Sequence, residues 1–239
     1  IMVYEKGEHQ VKRVKVTDAE AEKNRYYEAV ERAFKQLGEL HDKALREVGE
    51  ANAAIFEIHQ MMLEDLDYIE SIENIIRSQE VNAEFAVATT ADNFAQMFAA
   101  MDDAYMQGRA ADVKDVSERV LDILCGVSEG IKQTDEPSII AADDLMPSET
   151  VQLDKEKVLS FVTMYGSANS HTAILARTMG IPALVGASVP LDDTIDGRLG
   201  IVDGVSGVLY VEPDEETLAQ MKEKQAQQEE QKRLLELLK

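Results

Sequence analysis

Tryptophan is absent from this 239-residue chain, cysteine occurs once, and the five prolines all lie at or beyond Pro137. A single cysteine, Cys125, excludes an internal disulfide and a cysteine-rich zinc site, and points to a reducing, cytoplasmic setting. Positive charge is scarce: 24 Lys+Arg face 46 Asp+Glu, for a formal net charge of −22. Such a chain gains no counterion-release energy from a phosphate backbone and is repelled by anionic headgroups, so neither nucleic acid nor a membrane is an expected partner. No apolar run reaches the ~18 residues of a membrane span, and the opening IMVYEKGEHQ lacks a signal-peptide layout. The first residue is Ile rather than Met, which suggests a piece of a longer polypeptide. What is present, 45% hydrophobic and 29% charged residues, describes a folded chain of roughly one to two domains.

Charge and chain breakers divide the sequence. Residues 17–145 carry 29 acidic and 11 basic side chains, a balance of −18, against +2 for 1–16 and −6 for 146–239. The acidic segment is nearly free of Gly and Pro and rich in Ala, Glu, Leu and Met, a helix-forming composition. Thr17 with Glu20 reads as a capping box at its start. Phe94, Met97, Phe98, Met101 and Tyr105 recur at helical spacing as one apolar stripe, and Val113, Val116, Val120 and Ile123 form another after a break near Gly108. Cys125, beside Leu124, reads as a small core residue. The expectation is a bundle of about four antiparallel helices between 17 and 128.

Beyond Pro137 short β-branched runs bounded by Gly, Pro or Asp predict strands at 158–163, 182–186, 199–204 and 207–213. The segment 169–180 predicts a helix capped by Asn169 or Ser170, with Ile174, Leu175 and Met179 inward, closing on Gly180. A first strand-like stretch, 10–16, is expected to return to this sheet. The fold class is therefore α+β: an α/β domain of 1–16 plus 146–214, interrupted by a helical insert at 17–145 and followed by a polar helix at 215–239 whose LLELLK end needs a partner.

Most standard sites are missing. There is no phosphate-cradling Gly-Lys-Ser/Thr loop, dinucleotide fingerprint or zinc-protease motif, and no metal site is expected. Of the four histidines, His171 stands at the start of a helix that follows a strand and a glycine turn. A neutral imidazole is a nitrogen nucleophile, and free amides with the helix dipole favour an arriving phosphoryl group. Hydroxyls of Ser170, Thr172 and Thr150 are available in sequence to fix its tautomer.

These residues carry a resemblance. The stretch GSANSHTAILARTMGIPALVG, 166–186, resembles the phosphohistidine motif of phosphoenolpyruvate-utilising enzymes. DDLMPSETVQL (143–153), IFEIHQMMLED (55–65) and DDAYMQGRAADVKDVSERVL (102–121) are similar to one branch, Enzyme I of the bacterial sugar phosphotransferase system. The resemblance covers roughly residues 50–215 and implies a swivelling phosphohistidine domain with an inserted helical domain. It implies a phosphoryl relay in which His171 takes the group from phosphoenolpyruvate and hands it to a histidine of the carrier HPr, with Thr150 hydrogen-bonding the imidazole. Gly166, Asn169, Ser170 and Thr172 fall in the corresponding phosphate loop. The family turn reads Gly-Gly-Arg-Thr-Ser-His; here it runs Gly166, Ser167, Ala168, Asn169, Ser170, His171, without the second glycine and the arginine.

The resemblance also makes the helical insert the dock for HPr. Between Glu47 and Glu84 there are ten acidic residues and one basic one, Arg77, a field that steers a positively charged partner. The matched contact positions are Glu50, His59, Met61, Met62, Asp65, Leu66, Asp67 and Arg109, with Met61, Met62 and Leu63 as adaptable apolar contacts. His59 lies among acids and takes a contact role rather than a second relay step. No cofactor is expected in this chain. Mg²⁺ is implied only for the family's C-terminal domain, which binds phosphoenolpyruvate, forms the dimer and is a second implied partner. The competing readings are the swivelling domain of a pyruvate phosphate dikinase or phosphoenolpyruvate synthase, and a non-catalytic HPr-binding module.

Overall fold

The computed structural model describes residues 1–5, 9, 11–127 and 136–237. Five helices follow the N-terminal segment: α1 (Ala19–Val48), α2 (Glu50–Leu63), α3 (Leu66–Gln79), α4 (Ala83–Ala99) and α5 (Ala104–Cys125). Gly49, at φ +85°, reverses the chain between α1 and α2 in a backbone conformation that side chains disfavour. The helices α2 and α3 run on from one another across a break at Glu64–Asp65, where the Asp65 side chain accepts the Tyr68 amide at 3.0 Å and restarts the helix. Together they form one arm against α1, and α4 and α5 form the other pair, so the expected four-arm bundle is built from five helices.

Local details differ from expectation. The cap of α1 is Asp18, whose carboxylate accepts the Ala21 amide at 3.0 Å, rather than Thr17. The apolar stripe at 94–105 is split: α4 ends at Ala99, and Asp103 caps α5, which contains Gly108. The buried face of α4 runs through Ala83, Ala86, Val87, Thr90, Ala91 and Ala95, small residues that let α5 approach closely, while Met97 and Tyr105 face solvent. Cys125 is exposed at the end of α5 instead of buried.

The sheet is parallel, in order β1-β2-β3-β4, from Met2–Tyr4, Ser138–Ala142, Val158–Thr163 and Ala183–Leu184. Two corrections follow. Residues 138–142 fall within the 17–145 range expected for the helical insert, yet they form β2, paired on both sides. The expected strand 10–16 is replaced by β1; Gln10 lies outside the described residues, and 14–16 instead tie into the bundle. There Lys15 bridges Val81, and Val16 donates to the Glu80 carbonyl at 2.8 Å. The unpaired backbone of the α3–α4 connection captures this segment.

Side chains of β2 alternate between two cores. Ile140 and Ala142, with Phe161 from β3 and Leu175, join the same core as Tyr26, Leu37, Phe56 and Ile72 of the bundle. Ile139, Ala141 and Val162 face the other way onto Val189 and Ile195. A register shift at Ser138/Ile139 leaves Leu159 without a partner and turns it to solvent. The helices α6 (Pro147–Gln152) and α7 (His171–Met179) cover the bundle side, and a hairpin of β5 (Gly200–Asp203) with β6 (Val208–Val211) precedes α8 (Glu215–Glu236). No helix among the described residues is long and apolar enough to cross a membrane.

Candidate functional site

His171 is the first residue of α7 and is exposed. The local sequence explains this placement. After β3, Thr163 donates its hydroxyl to the Tyr165 carbonyl at 2.7 Å, and Tyr165 donates its amide to Asp143 at 2.8 Å, anchoring the outgoing chain beside the end of β2. Gly166 then turns at φ +102°. Ser170 caps α7, its hydroxyl accepting the Ala173 amide at 3.2 Å. Leu175 and Met179 are buried as expected, Ile174 only partly, and Gly180 closes the helix at φ +74°. An imidazole at this position faces solvent, with the positive end of a capped helix beneath it.

Thr172, the next residue, is buried and donates its hydroxyl to the Leu145 carbonyl at 2.6 Å. That bond ties the start of α7 to the segment leading into α6, and the two helices pack on each other. Thr150 lies in α6 and is fully buried; its hydroxyl donates to the Met146 carbonyl at 3.0 Å, inside its own helix. Asn169 is exposed in the turn, and Arg177 donates to the Ala168 carbonyl at 3.3 Å, holding the loop from below.

The candidate docking residues divide by exposure. Met61 (68% exposed) and Leu66 (71% exposed) are open, Glu50 and Asp67 are exposed, and Met62 is half-buried. Asp65 is exposed and spends one carboxylate oxygen capping α3. Arg109 stacks over the Tyr105 ring, 4.8 Å to its centroid, and approaches Asp112 at 3.9 Å. His59 and Leu63 are corrections: both are fully buried. Spacings of three and four along Phe56, His59 and Leu63 put them on the core face, while Glu50, Glu57, Met61 and Glu64 form the exposed stripe. His59 lies edge-on to Phe56 and 3.3 Å from Asp112, so it touches no partner at the surface.

The helix of the candidate docking residues Glu50 and Met61 packs against the helix that begins at His171. α7 packs against α1 and α2, where Asn52 donates to the Thr178 hydroxyl at 3.4 Å. From Asn52 to Met61 is roughly 14 Å along α2. Arg177, Leu145 and Asp115, which accepts the Ser148 hydroxyl of α6 at 2.6 Å, join the site only in the folded structure. For Asp115 a signal existed: an acid falling beside the apolar stripe of Val113, Val116 and Val120.

A groove of about 530 Å³ lies elsewhere, between α8 and the sheet, lined among others by Leu159, Val202, Met221 and Lys224, and holds none of these candidates. Among the described residues no group of three or more His, Cys, Asp or Glu is placed to hold a metal.

Comparison with known proteins gives this geometry a family. Residues 1–109 match the family model described as PEP-utilising enzyme, N-terminal, and 134–207 the one described as PEP-utilising enzyme, mobile domain. The phosphoenolpyruvate-protein phosphotransferase of Geobacillus stearothermophilus is 42% identical over 218 residues, 91% of this chain and 38% of the relative. That of Bacillus subtilis (strain 168) is 39% identical over 215 residues, 90% of this chain and again 38% of the relative. The chain therefore spans about two fifths of the length of such relatives. An NMR solution structure of Enzyme I superposes at a TM-score of 0.76 with 35% identity, covering 95% of this chain and 93% of that one. The N-terminal domain of Enzyme 1 - Nitrogen gives a TM-score of 0.63 at 27% identity. With both segments matched in order and the fold shared across nearly its whole length, the chain belongs to the Enzyme I family of phosphoenolpyruvate-protein phosphotransferases, in the N-terminal part of that family's sequence.

Proposed function

We propose that this chain is a phosphoryl carrier: His171 accepts a phosphoryl group and delivers it to a histidine of HPr, as the N-terminal part of a cytoplasmic phosphoenolpyruvate-protein phosphotransferase. The observation that supports it most is the exposed imidazole at the first position of a capped helix, on a glycine turn, within the segment that matches the mobile domain.

In the first step an unprotonated nitrogen of His171 attacks phosphorus as the P–O bond to the enol oxygen of phosphoenolpyruvate breaks, and enolpyruvate leaves. In the second, a nitrogen of the HPr histidine attacks the same phosphorus and the N–P bond to His171 breaks. Neither step needs a further covalent group in this chain. Catalysis is positioning plus electrostatics: amides at the start of α7 face the phosphoryl oxygens, and Thr172 bonded to Leu145 holds the histidine's backbone in place. Thr150 serves by fixing α6 behind α7. Its buried hydroxyl gives its proton to the Met146 carbonyl rather than to the exposed imidazole. Phosphoenolpyruvate and Mg²⁺ belong in this reading to a separate C-terminal domain, the second partner.

Glu50 and Met61 of α2, with Leu66 and Asp67 at the start of α3, offer HPr an apolar contact rimmed with negative charge, and α2 packs against α7. The test is incubation with phosphorylated HPr and a search for acid-labile, alkali-stable label. Label is expected on the unmodified chain and absent from His171→Ala; label that persists in the variant overturns the assignment.

A further inference from the structure

The core of the bundle contains a histidine between two carboxylates. His59 is 0% exposed and Asp112 and Asp115 are 4% exposed each. His59 Nε2 lies 3.3 Å from Asp112 Oδ1; Nδ1 lies 4.0 Å from Asp115 Oδ2 and has no hydrogen-bond partner. Asp115 reaches out of the bundle: Ser148 of α6 donates its hydroxyl to Oδ1 at 2.6 Å and its amide to Oδ2 at 3.3 Å. Three residues earlier, the Leu145 carbonyl receives the Thr172 hydroxyl at 2.6 Å, and Thr172 adjoins His171.

Buried charged or polar groups cost stability compared with apolar residues of the same shape, while removing one partner of a buried bonded pair such as Asp115 and Ser148 strands the other. A cluster of this kind therefore fixes a particular register more than it adds cohesion. Here the register is that of α6 against the bundle. Asp115 stands in for the missing acceptors of the first turn of α6, a helix too short to hold its own orientation, and the Leu145–Thr172 bond transmits that orientation to the start of α7.

We infer that Asp115 and Ser148, backed by His59, are positioning residues for the His171 site, connecting the docking helix α2 to the histidine through α5, α6 and Leu145. The inference rests on the phosphohistidine reading only for the consequence, not for the connection itself. Because Asp115 Oδ2 faces both the Ser148 amide and His59 Nδ1, movement of α2 at its outer face alters the hold on α6 from within.

The experiment compares Ser148→Ala, Ser148→Thr and Asp115→Asn with Tyr68→Phe, which breaks another buried bond of the bundle, Tyr68 to Ser117 at 2.6 Å, without reaching α6. Each protein is examined by thermal unfolding, by ¹⁵N NMR of its histidines through a pH titration, and by phosphoryl transfer from phosphorylated HPr. Ser148→Ala and Asp115→Asn are expected to shift the His171 imidazole signals and titration midpoint and to slow transfer about tenfold at unchanged HPr affinity. Ser148→Thr restores both, and Tyr68→Phe lowers stability while leaving the His171 signals in place. His171 signals that stay fixed in a folded Ser148→Ala or Asp115→Asn protein overturn the inference, as does an equal shift in Tyr68→Phe. The NMR arm requires no phosphorylation, so failure of transfer in every protein, with the His171 shifts still present, sinks the phosphoryl-carrier reading and leaves the connection standing.

Discussion

His59 and His171 both stand in helices beside polar neighbours, and one difference separates their tasks: the first is enclosed by α5 and the second opens to solvent. At this scale the cap of α7 makes a direct prediction. Ser170→Ala removes the acceptor of the Ala173 amide and costs about 1 kcal/mol of stability. Faster amide exchange at 171–173, with the rest of α7 protected, is the expected reading. Asp65 shows why the acids of the candidate docking surface differ among themselves. It caps α3, so charge reversal there mixes a folding cost with the electrostatic one. Reversing Glu64 and Asp67 instead avoids that cap; the expected result is a slower association with HPr and a flatter salt dependence, measured by stopped-flow at several ionic strengths.

Among elements, α8 is held most lightly, with Leu234, Leu235 and Leu237 exposed near its end. One tie to the β5–β6 hairpin is Lys224 bonded to Asp203 at 2.5 Å. Lys224, then the Ser206 hydroxyl, hold the Asp203 carboxyl below the usual carboxylate range. A carboxyl lowered in the folded state contributes stability that is complete above its unfolded value of about 3.9. That contribution is lost as pH falls through the lower folded value. α8 should therefore loosen progressively below about pH 4, seen as faster amide exchange along 217–228, and Asp203→Asn should show the loosened state already at pH 7. Within the bundle, burial raises the Tyr68 hydroxyl to about 12, with the Ser117 bond acting in the opposite sense, so this residue stays neutral across that range.

For the molecule as a whole, the shared core decides behaviour. Phe161 of β3 belongs to the same buried cluster as Tyr26 and Leu37 of α1, so sheet and bundle are coupled rather than independent. Phe161→Ala, a fully buried site, should cost about 3–5 kcal/mol, and the loss should lower the unfolding transition of bundle and sheet together, with helical CD and tyrosine fluorescence giving one midpoint. Two separate midpoints would refute the coupling. The net charge of −22 acts at this scale too, as a long-range field that attracts positively charged molecules and repels negatively charged ones.

Much of this was legible in the sequence where the signal is local. The strand at 158–163 and the capped helix closing at Gly180 follow from residues within a few positions of one another, as does the histidine at that helix's start. The failures have a common cause. His59 and Leu63 look like surface residues in sequence because their neighbours are acids and methionines, and only the packing of α2 against α1 and α5 puts them in the core. β2 read as part of the insert because five residues carry too little pattern, and β1 was missed because its pairing partners lie more than 130 positions away.

The sequence by itself determined the local chemistry: which helices are capped, where the glycine turn presents an imidazole, and where negative charge accumulates. Only the tertiary structure decided which face of α2 meets solvent, which strands enter the sheet, and that Asp115 of one segment grips Ser148 of another. Those outcomes depend on burial and on hydrogen bonds between residues far apart in the chain, and such contacts exist only once the segments have packed.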